Sequence, residues 1–179
     1  METRLYLAYL ARGELKDYYH ETINDLCDRY NLVELREKER LAHMTVKAPF
    51  LSEDIEGVER IVDGLAKIEE EILLEVYGIG HFDDKVAYIG ADTNYKGRNY
   101  IQKIIDEFKA GKFDMSRYDH GDKRLHITFA KKKESGGRFD EVVAYLKENE
   151  RSFIVPLDNL TLMGKNRGKS GIYKIFEMH

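Results

Sequence analysis

The chain has no tryptophan, two prolines and a single cysteine in 179 residues, and each shortage excludes something. One thiol, Cys27, makes no internal disulfide, so a fold stapled for an oxidising compartment is ruled out and a reduced, cytoplasmic setting is expected. Cys27 follows Leu26 in a helical pattern and reads as a packing residue. No apolar run approaches the roughly 18 residues that cross a bilayer, so no membrane partner is expected. The opening METRLYLAYLARGELKDYY lacks a basic n-region, an apolar h-region and a cleavage site, and reads as a strand rather than a leader. A net charge of -4 argues against coating long double-stranded nucleic acid through counterion release. A small phosphate ligand in a locally basic cleft is still compatible with it. Neither G-x-S-x-G nor a Cys-His nucleophile arrangement is found.

What is present is the composition of a compact globular domain, 42% hydrophobic and 35% charged. RLYLAYL (4–10) alternates like a strand, and Glu14 to Tyr30 carries Leu15, Tyr18, Tyr19, Ile23, Leu26 and Cys27 at helical spacing. Ser52, followed by Glu53 and Asp54, reads as the N-cap of a helix with Ile55, Val58, Val62 and Leu65 on its apolar stripe. ILLEVYGIGHF and KVAYIGA form a hairpin around DDK, and Ile101, Ile104, Ile105 and Phe108 mark a helix that a glycine ends. ESGG opens a last helix with Phe139, Val142, Val143 and Leu146 inward, and the tail reads as strands bracketing a Gly-, Lys- and Arg-rich turn. This order gives an α+β class with two similar halves in one domain, 1–179, divided near residues 90–95.

The chemistry-bearing residues sit in two strand-like runs. In LAHMTVKAPF, Ala42, Met44, Val46 and Ala48 share one face, and His43, Thr45 and Lys47 the other. In RLHITFAKK, Leu125, Ile127 and Phe129 oppose His126 and Thr128. Two H-x-T triplets nearly half the chain apart, each inside an amphipathic strand, point to a duplicated unit. Imidazoles that titrate near neutrality are suited to dividing acid and base work between them, and the hydroxyls beside them are hydrogen-bond donors.

These motifs, their separation and the surrounding elements resemble the two-histidine (2H) phosphoesterase superfamily, which includes the bacterial 2′-5′ RNA ligase-like proteins. AHMTVKAPF is similar to the family's first motif with its trailing aromatic, and LHITFAKK to its second, where a basic residue commonly follows. The resemblance covers essentially the whole chain. It implies a bilobal α+β fold with pseudo-two-fold symmetry, helices outside two antiparallel-sheet lobes, and both H-x-T strands lining a central cleft. It also implies hydrolysis of 2′,3′-cyclic phosphates or related phosphodiesters without a metal or other cofactor. His43, His126, Thr45 and Thr128 are then the catalytic set, with His126 the base and His43 the acid by analogy. The expected partner is an RNA end or small nucleotide with a cyclic phosphate, bound by a monomer.

Lys47, on the His43 face, and Lys131, after the second motif, are candidates for the phosphate. Lys131 has the wrong alternation parity unless the strand bends, and lysine stands where the family often has arginine. Tyr173, where related proteins place an aromatic, is the candidate for base stacking. GKNRGKS (164–170) has one residue too few between its glycines for a phosphate-binding P-loop and reads as a mobile hairpin loop over the cleft. Asp119, His120, Asp122 and His126 crowd one segment but match no metal-ligand spacing. His20 and His81 are read as structural or exposed. The alternatives in other classes are a catalytically weak binder of nucleotides or RNA ends, and a plain partner-binding domain.

Overall fold

The computed structural model describes residues 2–38, 40–166 and 169–178. β1 (Thr3–Leu10) turns Leu5, Leu7 and Tyr9 inward, all wholly buried. α1 (Gly13–Tyr30) buries Leu15, Tyr18, Tyr19, Leu26 and Cys27, and stops where Asn31 adopts the left-handed backbone (φ 51) that returns its N–H to the Cys27 carbonyl. A short α2 (Val33–Glu37) follows, which apolar periodicity did not announce. β2 (His43–Ser52) leads to α3 (Ile55–Ala66), whose N-cap is Asp54: its carboxylate accepts the Gly57 N–H at 2.8 Å. Ser52, the cap expected from sequence, closes β2 instead and donates to the Asp54 carbonyl.

β3 (Leu73–Phe82) and β4 (Val86–Thr93) form the expected hairpin. Asp83 and Asp84 supply the two left-handed positions (φ 45 and 51) of a tight turn, a conformation aspartate tolerates better than most residues. α4 (Tyr95–Ala110) is capped by Asn94 and, as the sequence predicts, ends at a glycine, Gly111. β5 (Leu125–Lys131) runs into a 3-10 turn (Lys132–Glu134) and α5 (Phe139–Glu148). β6 (Phe153–Pro156), β7 (Asn159–Asn166) and β8 (Lys169–Glu177) complete the chain. The tip of the Gly-rich turn, Arg167 and Gly168, lies outside the described residues, so the mobile loop read there does too, as does His179. Among the described residues no helix is long and apolar enough to cross a membrane.

The strands make one antiparallel sheet in the order β6-β3-β4-β5-β2-β1-β7-β8. A pseudo-two-fold axis passes between β5 and β2. The run β1-α1-β2-α3-β3 is matched by β4-α4-β5-α5-β7, and the last strand of each run crosses to the other half of the sheet. Helices cover one face, where Phe129 stacks on Tyr19 at 5.1 Å and Phe50 packs edge-on to Phe108 at 5.0 Å. Each such ring, wholly buried, stabilises the fold by about 1.5–3 kcal/mol. The other face holds the histidines.

Candidate active site

The two central strands share an irregularity that the alternation rule alone does not foresee. Along β1 and β2, Ala8 pairs with Thr45 but Leu7 with Lys47, so Val46 is an extra, bulged residue. Along β4 and β5, Tyr88 pairs with Thr128 but Ala87 with Ala130, so Phe129 is the extra residue. Each H-x-T is therefore followed by a β-bulge at the same place. A bulge reverses the alternation, and the side chains beyond it change face.

That reversal separates the two lysines. Lys47 turns to the helix-covered face beside Leu7, where none of its surface is exposed. Its ammonium meets the Asp119 carboxylate at 2.9 Å and donates to the Asp114 and Ala48 carbonyls at 2.8 and 3.0 Å. Those contacts use all three of its donors. Lys47 thus braces the strand from behind and does not reach the cleft, contrary to the expectation from parity. On β5 the same reversal brings Lys131 round to the cleft face, supplying the bend its position required. Burial lowers the Lys131 pKa, and the Arg40 charge lowers it further.

On the cleft face the four motif side chains form a two-by-two array. Met44 pairs with Ile127 across the midline, which sets His43 beside Thr128 and Thr45 beside His126. The two histidines are diagonal neighbours, at ladder positions whose backbones lie about 7–8 Å apart in a regular sheet. His43 Nδ1 lies 2.8 Å from the Leu41 carbonyl and His126 Nδ1 lies 3.1 Å from the Arg124 carbonyl, in each case two residues back. A carbonyl only accepts, so both rings carry the proton on Nδ1 and leave Nε2 free. Neither threonine hydroxyl bonds another described residue, and both are only partly buried.

Burial lowers the pKa of His43; the Leu41 hydrogen bond opposes this, and the charges of Arg40, His126 and Lys131 add to it. For His126, burial again comes first, opposed by the Arg124 carbonyl and reinforced by Lys123 and Arg124. Aromatic rings border both histidines. Tyr6 is 5.7 Å from His43, while Phe82 and Tyr88 lie 4.8 and 5.3 Å from His126 and stack on each other at 4.4 Å.

Buried carboxylates pin both bulged strands. Asp119 accepts the Ala48 N–H at 2.9 Å and the Ser116 N–H at 2.8 Å, so it serves β2 and is turned away from His126. Beside it the ammonium of Lys123, whose pKa burial lowers to about 8, donates to the carbonyl of the bulged Val46. Glu134 accepts the Lys131 N–H at 2.9 Å and holds Arg40 at 2.7 Å and Lys38 at 2.5 Å. The cation three residues before each histidine thus supports the strand of the other. Asp119, His120, Asp122 and His126 do not converge, and no group of metal-ligating side chains is found among the described residues.

Tyr173 lies on the edge strand β8, separated from β2 by β1 and β7, and half of it is exposed. Its ring joins Leu5 about Gly164 on the helix-covered face, away from the histidines. The aromatic groups at the site are Tyr6, Phe82 and Tyr88. Sequence reasoning also missed Arg124, although its position two residues before His126 places it on the same strand face. Glu134 and Arg40 gave no such signal, since their meeting depends on tertiary packing.

A sequence model of the 2′-5′ RNA ligase superfamily matches residues 17–169, a span that includes both motifs. The chain belongs to this superfamily. The superfamily falls within the two-histidine phosphoesterases, and this makes the chain an enzyme of the phosphoesterase kind. Among solved structures, that of a phosphoesterase shares the fold at a TM-score of 0.62, with 14% identity over 99% of both chains. TT0787 of Thermus thermophilus shares it at 0.58, with 17% identity over 98% of this chain and 97% of its own. At such identities the likeness speaks for the fold. No curated protein matches the chain in sequence.

Proposed function

We propose that this superfamily member is a metal-independent phosphodiesterase that opens a 2′,3′-cyclic phosphate at an RNA end, or a related small cyclic or oligonucleotide substrate, by two-histidine acid/base catalysis. One observation carries the reading: both imidazoles are fixed through Nδ1 to backbone carbonyls, so that two free Nε2 atoms share one face beside two unengaged threonine hydroxyls. One neutral imidazole takes a proton from water as its oxygen bonds to phosphorus. The bond from phosphorus to a ribose oxygen breaks, and the other imidazole, charged, protonates that oxygen. By family analogy His126 is the base and His43 the acid. Thr45 and Thr128 donate to the non-bridging oxygens, and Lys131 adds positive charge at the His43 end.

Burial and neighbouring cations favour the neutral form of both histidines. The charge of the bound phosphate reverses this for one of them, so substrate arms the acid. In a screen of nucleoside 2′,3′-cyclic phosphates and short oligonucleotides, His43→Ala and His126→Ala each lose about 10²–10⁴-fold in turnover, and wild type keeps its activity in EDTA. Full turnover by either folded alanine variant would overturn the assignment. Tight binding of a terminal phosphate with no product from any of these substrates would instead identify a binding protein.

A further inference from the structure

The pseudo-symmetry fails at one place beside the histidines. Leu10 pairs with His43 on β1, whereas the equivalent residue beside His126 on β4 is Gly90. A Cβ at Gly90 would stand 2.8 Å from the Tyr77 carbonyl, which a bulge in β3 at Tyr77 and Gly78 brings close. Gly78 takes a positive φ of 82 there, and Glu150 accepts the Gly78 N–H at 2.7 Å and the Ile79 N–H at 3.2 Å. Beside these glycines lies a cavity of about 430 Å³, lined by Tyr77, Tyr88, Arg124 and Leu125 up to the residue before His126.

The walls of this cavity are chemically specific. Arg124 is exposed and, among the described residues, bonds through its side chain only the neutral Tyr88 hydroxyl, at 3.0 Å, with no carboxylate partner there. Arg98, by contrast, is paired with Asp92 at 2.5 Å. Tyr77 lines the same cavity with 48% of its surface exposed. An unpaired guanidinium is suited to a phosphate, and an exposed ring in a groove to a base.

Resting on the phosphodiesterase reading above, we propose that this cavity is the subsite for the nucleotide on the 5′ side of the terminal one. Arg124 takes the phosphate that joins the two nucleotides and Tyr77 stacks on the preceding base. The substrate class is then an oligonucleotide end rather than a mononucleoside cyclic phosphate. β5 places Arg124, His126 and Thr128 on one face at successive steps of about 6.6 Å, so adjoining phosphates follow the strand.

Binding of three products tests the proposal without requiring turnover: adenosine 3′-phosphate, adenosine 3′,5′-bisphosphate and the dinucleotide ApAp, by calorimetry. In wild type the bisphosphate binds more tightly than the monophosphate, and the second base of ApAp adds about 5- to 150-fold, the range of one stacked base. Arg124→Gln abolishes the first gain and Tyr77→Ala the second. Equal wild-type affinities for all three products, or gains that survive these substitutions, would overturn the subsite. Hydrolysis of cyclic phosphates in parallel tests the parent reading by itself. Gains without turnover leave the subsite standing and remove the reaction; turnover without gains does the reverse.

Discussion

Replacing Glu134 by glutamine removes one charge and little volume from a wholly buried site. The carboxylate holds Arg40, whose side chain is 13% exposed, together with Lys38, at 41%, and the Lys131 N–H. Removing one member of a buried ion pair typically costs about 3–5 kcal/mol. Lys38 is partly solvated and adds little after screening, and the glutamine oxygen still accepts the Lys131 N–H, so the lower end applies. A loss of about 3 kcal/mol lowers Tm by roughly 6–12 °C in a domain of this size. The pH dependence follows from the carboxyl group. Burial pushes its pKa up, but the hydrogen bonds from Lys38 and the Lys131 N–H and the charges of Arg40 and Lys38 carry it below the usual range. Its stabilisation is therefore complete above the unfolded value, about 4.3, and lost as pH falls through the folded one. Urea titrations at pH 7 should separate wild type from Glu134→Gln clearly, and the gap should close below about pH 4. A loss under about 1 kcal/mol at pH 7, or a gap that persists in acid, would refute the account of Glu134 as an ionised brace.

Other consequences can be checked separately. Lys47→Met should cost several kcal/mol of stability, about as much as breaking any buried pair, while leaving the KM of the folded fraction unchanged; a KM effect at full stability would return Lys47 to the phosphate site. Tyr19→Phe leaves the Thr128 carbonyl, which the Tyr19 hydroxyl bonds at 2.9 Å, without its donor and should cost about 1–3 kcal/mol by urea titration. Because both histidine pKa values are lowered in the free protein, binding of a nucleoside 3′-phosphate near neutrality should take up protons. Calorimetry in buffers of different ionisation enthalpy measures that uptake, and none at all would contradict an acid charged by its substrate. For the same reason the two histidines favour the folded state above the ordinary value of about 6.5 and cease to do so as pH falls below it.

How much of this was legible in the sequence depended on the range of the forces involved. Alternation around His43 and His126 and the 3.6-residue stripes of α3, α4 and α5 are local, and they gave the elements and the shared strand face of each H-x-T pair. The αβ order with two H-x-T strands gave the α+β class. Lys47 and Lys131 exchanged faces because a bulge in each strand reversed parity, and two-residue periodicity contains no signal for an inserted residue. Asp54 displaced Ser52 as a cap because β2 ran farther than its last apolar residue. Arg40 and Asp119 are distant in sequence from the strands they brace, and Glu134, three residues past β5, meets Arg40 only through tertiary packing, so their roles emerge only from packing. Arg124 was available to the same alternation that found the histidines.

The exchange of strands across the midline means that neither half of the polypeptide contains a whole half of the sheet. β3 is made with the first motif but sits beside β4, and β7 is made with the second but sits beside β1. Cleavage at the Asp83–Asp84 turn would accordingly leave β3 in one fragment and β6 in the other without any neighbouring strand, and the native partner of each fragment is the other. Reassembly of the separated pieces, rather than independent folding of either, is the behaviour this topology imposes.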